Sequence, residues 1–187
     1  MPKAARSKKK FSVFTIGHST HPIEEFIELL KAHGMKRVID VRTIPRSRHN
    51  PQFNADDLKF SLRAAGIAYS HIKRLGGLRH PKTDSKNLAW RHSGFRGFAD
   101  YMQTPEFEAG LERATKPSKT KPSALMCAEA VPWRCHRSLI ADALFVRKIP
   151  VEHILSKART KPHKLTPFAR VRRTQVTYPA APSRDTN

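Results

Sequence analysis

The residues best suited to chemistry lie close together between positions 125 and 137. This segment holds both cysteines of the chain, Cys127 and Cys135, with Glu129 between them and His136 and Arg137 directly after the second. A thiolate is a nucleophile, carboxylates and imidazoles move protons, and guanidinium groups bind anions. The segment therefore predicts a reactive site, while its residue types leave the reaction open.

Four apolar, strand-like runs position these residues and further polar ones. The runs cover 11–16, 37–41, 67–72 and 123–127, and helical patterns separate them. Polar or small residues lie on or after the first three runs: His18 and Ser19; Asp40, Arg42 and Arg46; Tyr69, Gly76 and Gly77. Because the carboxyl ends of parallel strands meet at one edge of a sheet, we expect these groups to converge there with the 125–137 segment. The long connection 75–95 is predicted to be a functional loop.

The alternation of strands and helices predicts the fold class. Helical spacing of apolar residues covers 22–33, 55–65, 97–103, 105–114 and 135–146, and a fifth strand-like run covers 151–155. This order predicts one three-layer α/β domain over residues 11–156. Its sheet should be mostly parallel, with about five strands and with helices on both faces.

The chain is strongly basic, with 36 Lys and Arg against 15 Asp and Glu, and a formal net charge of +21. Residues 1–10 are predicted to be a disordered basic arm and 180–187 a disordered tail. Residues 157–179 are predicted to be a basic extension that packs on the domain through Phe168, Val171 and Tyr178. Such charge favours nucleic acid as a partner of the basic tails, and a solvated basic surface is the alternative.

Several classes of protein do not fit this sequence. No apolar stretch approaches the ~20 residues of a membrane span, and the N-terminal segment lacks the apolar region of a secretory signal. Two cysteines do not form a disulfide framework, so we expect a cytoplasmic protein with reduced thiols. The Cys-x7-Cys-His spacing is not usual for zinc, so we expect no metal and no cofactor.

The combined motifs resemble one family, the domain of unknown function 488. They comprise Thr15-Ile16-Gly17-His18-Ser19, Asp40-Val41-Arg42 with Pro45 and Ser47, Leu75-Gly76-Gly77, Met126-Cys127-Ala128-Glu129 and Cys135-His136-Arg137. The resemblance extends over residues 12–179. It implies a compact α/β domain of bacterial type and brings no established reaction.

A weaker resemblance concerns the rhodanese-like sulfurtransferases. Residues 38–42, followed by the strand-end Cys127 and a helix, are similar to that group. Those enzymes hold the thiolate in a tight, usually glycine-containing loop, whereas residues 127–135 contain no glycine and include Glu129. A nearby carboxylate should raise a thiol pKa, so this sequence favours Cys127 as a buried structural cysteine.

Three functional hypotheses follow. The first is an enzyme acting on a small nucleoside- or phosphate-containing substrate, with acid/base work by Glu129, Asp40 and His136. In that hypothesis Arg42, Arg46 and Arg137 hold the anion, although ion pairing of Arg42 and Arg137 with the carboxylates explains them equally, and His18 and Tyr69 supply a proton or stack on a base. The second hypothesis is a non-catalytic nucleic-acid-binding module. The third is a sulfurtransferase that uses Cys127.

Overall fold

A computed structural model describes residues 11–181 of the chain, which form an α/β domain around one six-stranded sheet. The strand order is β3-β2-β4-β1-β5-β6; the first five strands in this list run parallel, and β6 runs antiparallel to β5. The strands are β1 (Val13–Gly17), β2 (Arg37–Asp40), β3 (Ala68–His71), β4 (Ser123–Cys127), β5 (Val151–Ser156) and β6 (Arg159–Pro162). The predicted fold class is confirmed.

Helices cover both faces of this sheet. They are α1 (Ile23–Ala32), α2 (Ala55–Ala64), α3 (Ser93–Tyr101), α4 (Pro105–Ser118) and α5 (Arg137–Val146). Phe26 of α1 and Leu58 of α2 belong to one core cluster, while Phe98 of α3, Phe107 of α4 and Leu139 of α5 belong to the other. The domain therefore has three layers, with α1 and α2 on one side of the strands and α3, α4 and α5 on the other.

Alternation along β4 determines which helical layer the Cys127 side chain faces. Ala124 and Met126 pack into the core under α1 and α2, whereas Leu125 and Cys127 pack into the core under α3, α4 and α5. Successive side chains of a strand point to opposite faces, so the Cys127 side chain necessarily shares a face with α5. The start of α5 carries the second half of the 125–137 segment.

Residues after 156 contain strands that the sequence pattern does not show. β6 adds an antiparallel edge to the sheet, and β7 (Arg170–Arg172) pairs with β8 (Gln175–Thr177) in a separate hairpin. No residue of β6 is buried, so its sequence lacks the apolar alternation by which strands are recognised. The predicted arm 1–10 and residues 182–187 of the predicted tail lie outside the described residues.

Two helices differ from the predicted bounds by four residues at one end, whereas the other differences are of at most two residues. α3 begins at Ser93 rather than 97, because the His92 ring accepts a hydrogen bond from the Gly94 backbone N–H at 3.1 Å and caps the helix. α4 continues to Ser118, into the loop predicted from residue 116, and the hydroxyls of Thr115 and Ser118 bond to helix carbonyls there. Among residues 11–181 no helix is both long and apolar enough to cross a membrane.

A buried hydrogen-bonded chain joins the C-terminal segment to the sheet. The Asp142 carboxylate of α5 accepts bonds from Tyr178 Oη at 2.7 Å and from His163 Nε2 at 2.8 Å. His163 Nδ1 then accepts from His153 Nε2 at 3.0 Å, and His153 Nδ1 accepts from the Thr15 hydroxyl at 2.7 Å. Tyr178 is fully buried, whereas Phe168 and Val171 are exposed.

We predict that Asp142→Ala lowers the free energy of unfolding by about 3–5 kcal/mol, because it leaves buried donors of Tyr178 and His163 without their acceptor. Tyr178→Phe removes a single hydrogen bond and should cost about 1–2 kcal/mol. Urea unfolding followed by circular dichroism measures both values. Glu112→Ala, at an exposed position of α4, is the control. An Asp142→Ala protein as stable as this control would show that the buried hydrogen bonds of Asp142 contribute nothing to stability.

Candidate functional site

A cleft of about 640 Å³ lies over the carboxyl ends of β1, β2 and β4. Nine of the residues predicted for the site line it: His18, Ser19, Arg42, Arg46, Gly77, Cys127, Glu129, Cys135 and His136. The other four, which are Asp40, Tyr69, Gly76 and Arg137, do not line the cleft. The strand ends therefore bring most of the predicted residues together, and the exceptions lie in the walls behind them.

Two thiols and one imidazole meet at the inner wall of the cleft. His136 Nδ1 lies 3.8 Å from Cys127 Sγ and 3.7 Å from Cys135 Sγ, and all three atoms lie within 4.8 Å of one another. His136 Nε2 donates to the Val41 carbonyl oxygen at 3.1 Å. Because a carbonyl only accepts, Nε2 carries a proton, and in the neutral ring the lone pair of Nδ1 faces the thiols. We call Cys127, Cys135 and His136 the thiol–imidazole cluster.

Close packing holds the imidazole in this orientation. A side chain at Gly77 would place its Cβ 2.4 Å from His136 Nδ1, so this position requires glycine. The Phe98 ring meets the imidazole edge-on, with 5.0 Å between ring centroids. Gly76 is similarly required, because a Cβ there would lie 2.4 Å from Thr43 Oγ1. Gly77 thus lines the cleft beside His136, while Gly76 packs behind Thr43, which lines the cleft.

The environment of the cluster separates the two thiols by acidity. A hydrogen bond from Cys135, then a bond to His136 and the charges of His136 and Arg137, hold the Cys127 pKa well below its ordinary value, although burial opposes them. Burial, and next the neighbouring Cys127, raise the Cys135 pKa well above its ordinary value. The expectation that Glu129 raises the Cys127 pKa is therefore wrong. Glu129 is exposed at the cleft wall, and the groups that contact the sulfur dominate.

Arg137 lies behind the cluster and is 1% exposed. Its Nη2 donates to the Ala130 carbonyl at 2.8 Å, while its Nε and Nη1 have no hydrogen-bond partner among residues 11–181. A Cβ at Gly17 would lie 2.6 Å from Nη1 and 1.8 Å from the Glu129 carbonyl oxygen, so β1 must end in glycine for these segments to meet. Burial lowers the Arg137 pKa, and the nearby Cys135 and Cys127 oppose this effect.

Asp40 and Arg42 form a buried ion pair with each other. Arg42 Nη2 lies 2.6 Å from Asp40 Oδ2, Arg42 Nε lies 3.0 Å from Oδ1, and neither side chain is more than 6% exposed. The Tyr69 hydroxyl also donates to Asp40 at 2.9 Å, and burial followed by the Asp40 charge raises the Tyr69 pKa. Arg42 Nη2 donates further to the Phe53 carbonyl at 2.8 Å. This pair braces the loop after β2 and leaves the Asp40 carboxylate out of the cleft.

His18 is hydrogen-bonded to the arginine of this pair. Its Nδ1 donates to the Ser19 carbonyl at 2.8 Å, and its Nε2 accepts from Arg42 Nη1 at 3.2 Å. Burial lowers the pKa of His18 to about 4, so the ring is neutral at pH 7. Ser19 has a φ of 48°, an unusual backbone conformation for serine, and its N–H bonds to the Ala128 carbonyl at 2.9 Å. The ends of β1 and β4 are thereby tied together.

The cleft includes residues that the sequence did not single out, among them Thr43, Asn50, His92, Phe95 and Arg134. His92 and Phe95 come from the end of the long connection and the start of α3, within the stretch predicted to be a functional loop. Arg134 lies between the cysteines and is exposed, as is Arg46. These two arginines, rather than Arg137, present exposed cationic side chains to the cleft. Among the described residues, the three atoms of the thiol–imidazole cluster are also a group that could bind a metal ion.

The model of the family described as Domain of unknown function DUF488 matches residues 22–144. This chain belongs to that family. The resemblance predicted from the motifs is confirmed over these residues, which include β2, β3, β4 and the whole thiol–imidazole cluster. No curated protein and no solved structure shows significant similarity to the chain. Membership in DUF488 therefore establishes the family and leaves the reaction to be inferred from the site.

The low pKa of His18 makes stability depend on pH in a defined direction. Below about pH 6.5 the unfolded chain binds a proton at this ring, whereas the folded protein does so only near pH 4, so stability falls as pH drops through this window. We expect His18→Gln to reduce this loss by up to about 1.4 kcal/mol per pH unit, measured by urea unfolding at several pH values.

His49→Gln, at an exposed position, is the matched control and should keep the pH dependence of the wild-type protein. If His18→Gln also keeps that dependence, His18 does not remain neutral in the folded state as inferred.

Proposed function

We propose that this DUF488 protein is a thiol-dependent sulfurtransferase in which Cys127 accepts sulfur from a small anionic donor. The observation that carries this proposal is the thiol–imidazole cluster at the wall of the cleft. A nucleophilic cysteine needs a base within reach and a third group that orients that base. His136 is the base, and the Val41 carbonyl, 3.1 Å from Nε2, orients it.

The charge around Cys127 supports a thiolate at this position. The Cys135 sulfur and His136 Nδ1 both lie within 4.8 Å of the Cys127 sulfur, and Arg137 places a buried positive charge behind both thiols. A cation held near a thiol favours the ionised form, and thiolate is the reactive species. Cys127 is nevertheless one of the residues that line the cleft, and this position suits attack on a small donor bound there.

The reaction can be written with thiosulfate as the donor. The Cys127 thiolate attacks the outer sulfur of thiosulfate, a new S–S bond forms, and sulfite leaves with the electron pair of the broken bond. Cys127 then carries a persulfide anion. A nucleophilic acceptor such as cyanide attacks the terminal sulfur, thiocyanate leaves, and the Cys127 thiolate returns. The cluster stabilises the thiolate both as nucleophile and as leaving group, and no external oxidant or reductant is needed.

The lining of the cleft suits an anionic donor. Arg46 and Arg134 are exposed there, and their charges attract a small dianion before the sulfur is transferred. The Arg42 charge contributes less, because Asp40 neutralises it at 2.6 Å. We infer that Arg46 and Arg134 act in binding and that the cluster acts in chemistry.

Acid/base chemistry on a nucleoside or phosphate substrate draws less support from the same geometry. Asp40 is fully buried and paired with Arg42, and Arg137 does not line the cleft. Glu129 is the carboxylate that remains in the described lining of the cleft, and it has no hydrogen-bonded base or acid partner among the described residues. His136 serves both hypotheses, so the two cysteines and Glu129 are the residues that discriminate between them.

Thiosulfate is expected to add one sulfur atom to the wild-type protein, detected by intact mass spectrometry, and cyanide is expected to remove it as thiocyanate.

Three variants test the roles of the cluster residues in this assay. Cys127→Ser should abolish both steps. Cys135→Ala should still react, but with its pH profile moved to higher pH, because removing the Cys135 hydrogen bond raises the Cys127 pKa. His136→Asn should slow the reaction by roughly a hundredfold through loss of the base.

Two results would contradict this proposal. One is the absence of added sulfur in wild-type protein whose thiols react with an alkylating reagent. The other is stoichiometric zinc in the purified protein, with both thiols protected until a chelator removes it. In that case Cys127, Cys135 and His136 would be metal ligands, and Cys127 would not be the free nucleophile.

Glu129→Gln tests the acid/base hypothesis directly. We expect this variant to transfer sulfur within about twofold of the wild-type rate, since the carboxylate contacts no atom of the cluster. Glu152→Gln on β5 is the control for loss of one negative charge outside the cleft. A loss of roughly a hundredfold or more in Glu129→Gln alone would assign general acid/base work to Glu129 instead.

A further inference from the structure

Trp133 is the most exposed aromatic residue near the reactive segment, with 59% of its surface open to solvent. It lies in the short helical turn Pro132–Arg134, between the two cysteines. Tryptophan is usually well covered, because its ring gains much free energy from burial. A ring left open on a turn that packing holds in place is therefore suited to contact a partner.

A groove of about 360 Å³ lies beside this ring. Trp90, Trp133 and Phe168 give it aromatic walls, and Lys161 and Lys164 contribute its lysines. We call these five residues the aromatic–lysine groove. Lys161 Nζ lies 5.5 Å from the centroid of the Trp133 ring, within cation–π distance. No aspartate or glutamate belongs to the described lining of this groove.

The positive charge of the groove lysines, and of the C-terminal segment that carries them, favours a polyanion as the occupant of the groove. Exposed Arg159 on β6 and exposed Arg170 and Arg172 on β7 belong to the same C-terminal segment as the two lysines. The whole chain carries a formal net charge of +21. Polyanions bind such surfaces by releasing their counterions.

The aromatic walls narrow this choice to a polyanion with flat, accessible rings. Proteins that bind single-stranded nucleic acids combine cationic side chains that follow the backbone with aromatic rings on which bases stack. In a duplex the base faces are already stacked on one another, so they are not free to meet Trp133. We propose that the aromatic–lysine groove binds single-stranded nucleic acid, with a base stacked on Trp133 and phosphates near Lys161 and Lys164.

This site is separate from the sulfur chemistry, and it differs from binding through the basic tails. The cleft and the groove have no lining residue in common. The turn Pro132–Arg134 lies between them, because Pro132 and Trp133 line the groove and Arg134 lines the cleft.

Fluorescence anisotropy with labelled oligothymidylate, oligouridylate and a duplex of equal length tests the proposal on the full-length protein. Trp133→Ala is expected to weaken binding of the single strands by about tenfold or more, the effect of losing one stacked base. Lys161→Ala with Lys164→Ala should lower the slope of log affinity against log salt by roughly 0.7 for each phosphate that the protein no longer neutralises. Duplex binding should change little with Trp133→Ala.

The matched control is Lys59→Ala with Phe60→Ala on α2, where an exposed lysine neighbours a phenylalanine that is 78% exposed. α2 packs beside β3, at the opposite edge of the sheet from β6. This variant should bind like the wild type. Circular dichroism of each variant establishes that it is folded.

A second readout uses the fact that the chain has two tryptophans. In Trp90→Phe, the remaining Trp133 should be quenched as single strands bind, because stacked bases quench indole emission. Equal affinities of Trp133→Ala and the Lys59/Phe60 variant, with no quenching, would overturn the proposal and leave general charge attraction as the explanation. Equal effects of Trp133→Ala on duplex and single strands would also overturn it, since stacking would not be the contact.

Discussion

Arg137 brings a positive charge into the interior of the domain, and no carboxylate among residues 11–181 forms an ion pair with it. Removing such a charge from water costs several kcal/mol, so a folded chain that buries one needs a compensating negative charge nearby. Its hydrogen bond to the Ala130 carbonyl and the nearby Cys135, Cys127 and Glu129 side chains oppose the effect of burial. The acidity of Cys127 and the burial of Arg137 are therefore two sides of one electrostatic balance.

This balance depends on backbone positions as much as on side chains. Gly17 lets the end of β1 approach both the Glu129 carbonyl and the Arg137 guanidinium. Gly77 lets the backbone of its own loop approach the His136 ring. The Asp40–Arg42 pair shows the contrasting solution, in which a buried cation is neutralised within its own loop. Two buried arginines in one site thus have different consequences. Arg42 is electrically satisfied and braces the loop, whereas Arg137 polarises the thiols.

The architecture could be predicted from the sequence because strong periodic signals produce it. Apolar runs that alternate with helical spacing indicate a parallel sheet, and parallel strands bring their carboxyl ends to one edge. The positions of His18, Arg42 and Cys127 around one cleft follow from that rule. β6 could not be predicted, because its residues carry no apolar pattern and it forms by pairing with the free edge of β5.

The roles of individual side chains were harder to predict than their neighbourhood. Arg42, Arg46 and Arg137 look equivalent in the sequence, yet one is paired, one is exposed and one is buried behind the cluster. The sequence also misleads about the effect of Glu129 on Cys127, because two residues that are close along the chain need not place their charges close together. Cys135 and His136 are adjacent residues at the start of a helix, and the turn before them brings both onto Cys127.

The buried hydrogen-bonded chain from Thr15 to Tyr178 indicates how much of this protein must fold together. The segment matched by the family ends at residue 144, within α5, whereas Asp142 of that helix depends on His163 and Tyr178 for its buried hydrogen bonds. β5, whose His153 continues the chain, is also a central partner of β1. A protein cut after residue 144 would keep every residue of the thiol–imidazole cluster but lose the partners of the buried Asp142 carboxylate and the β5 neighbour of β1. The cooperative unit is thus longer than the segment that defines the family.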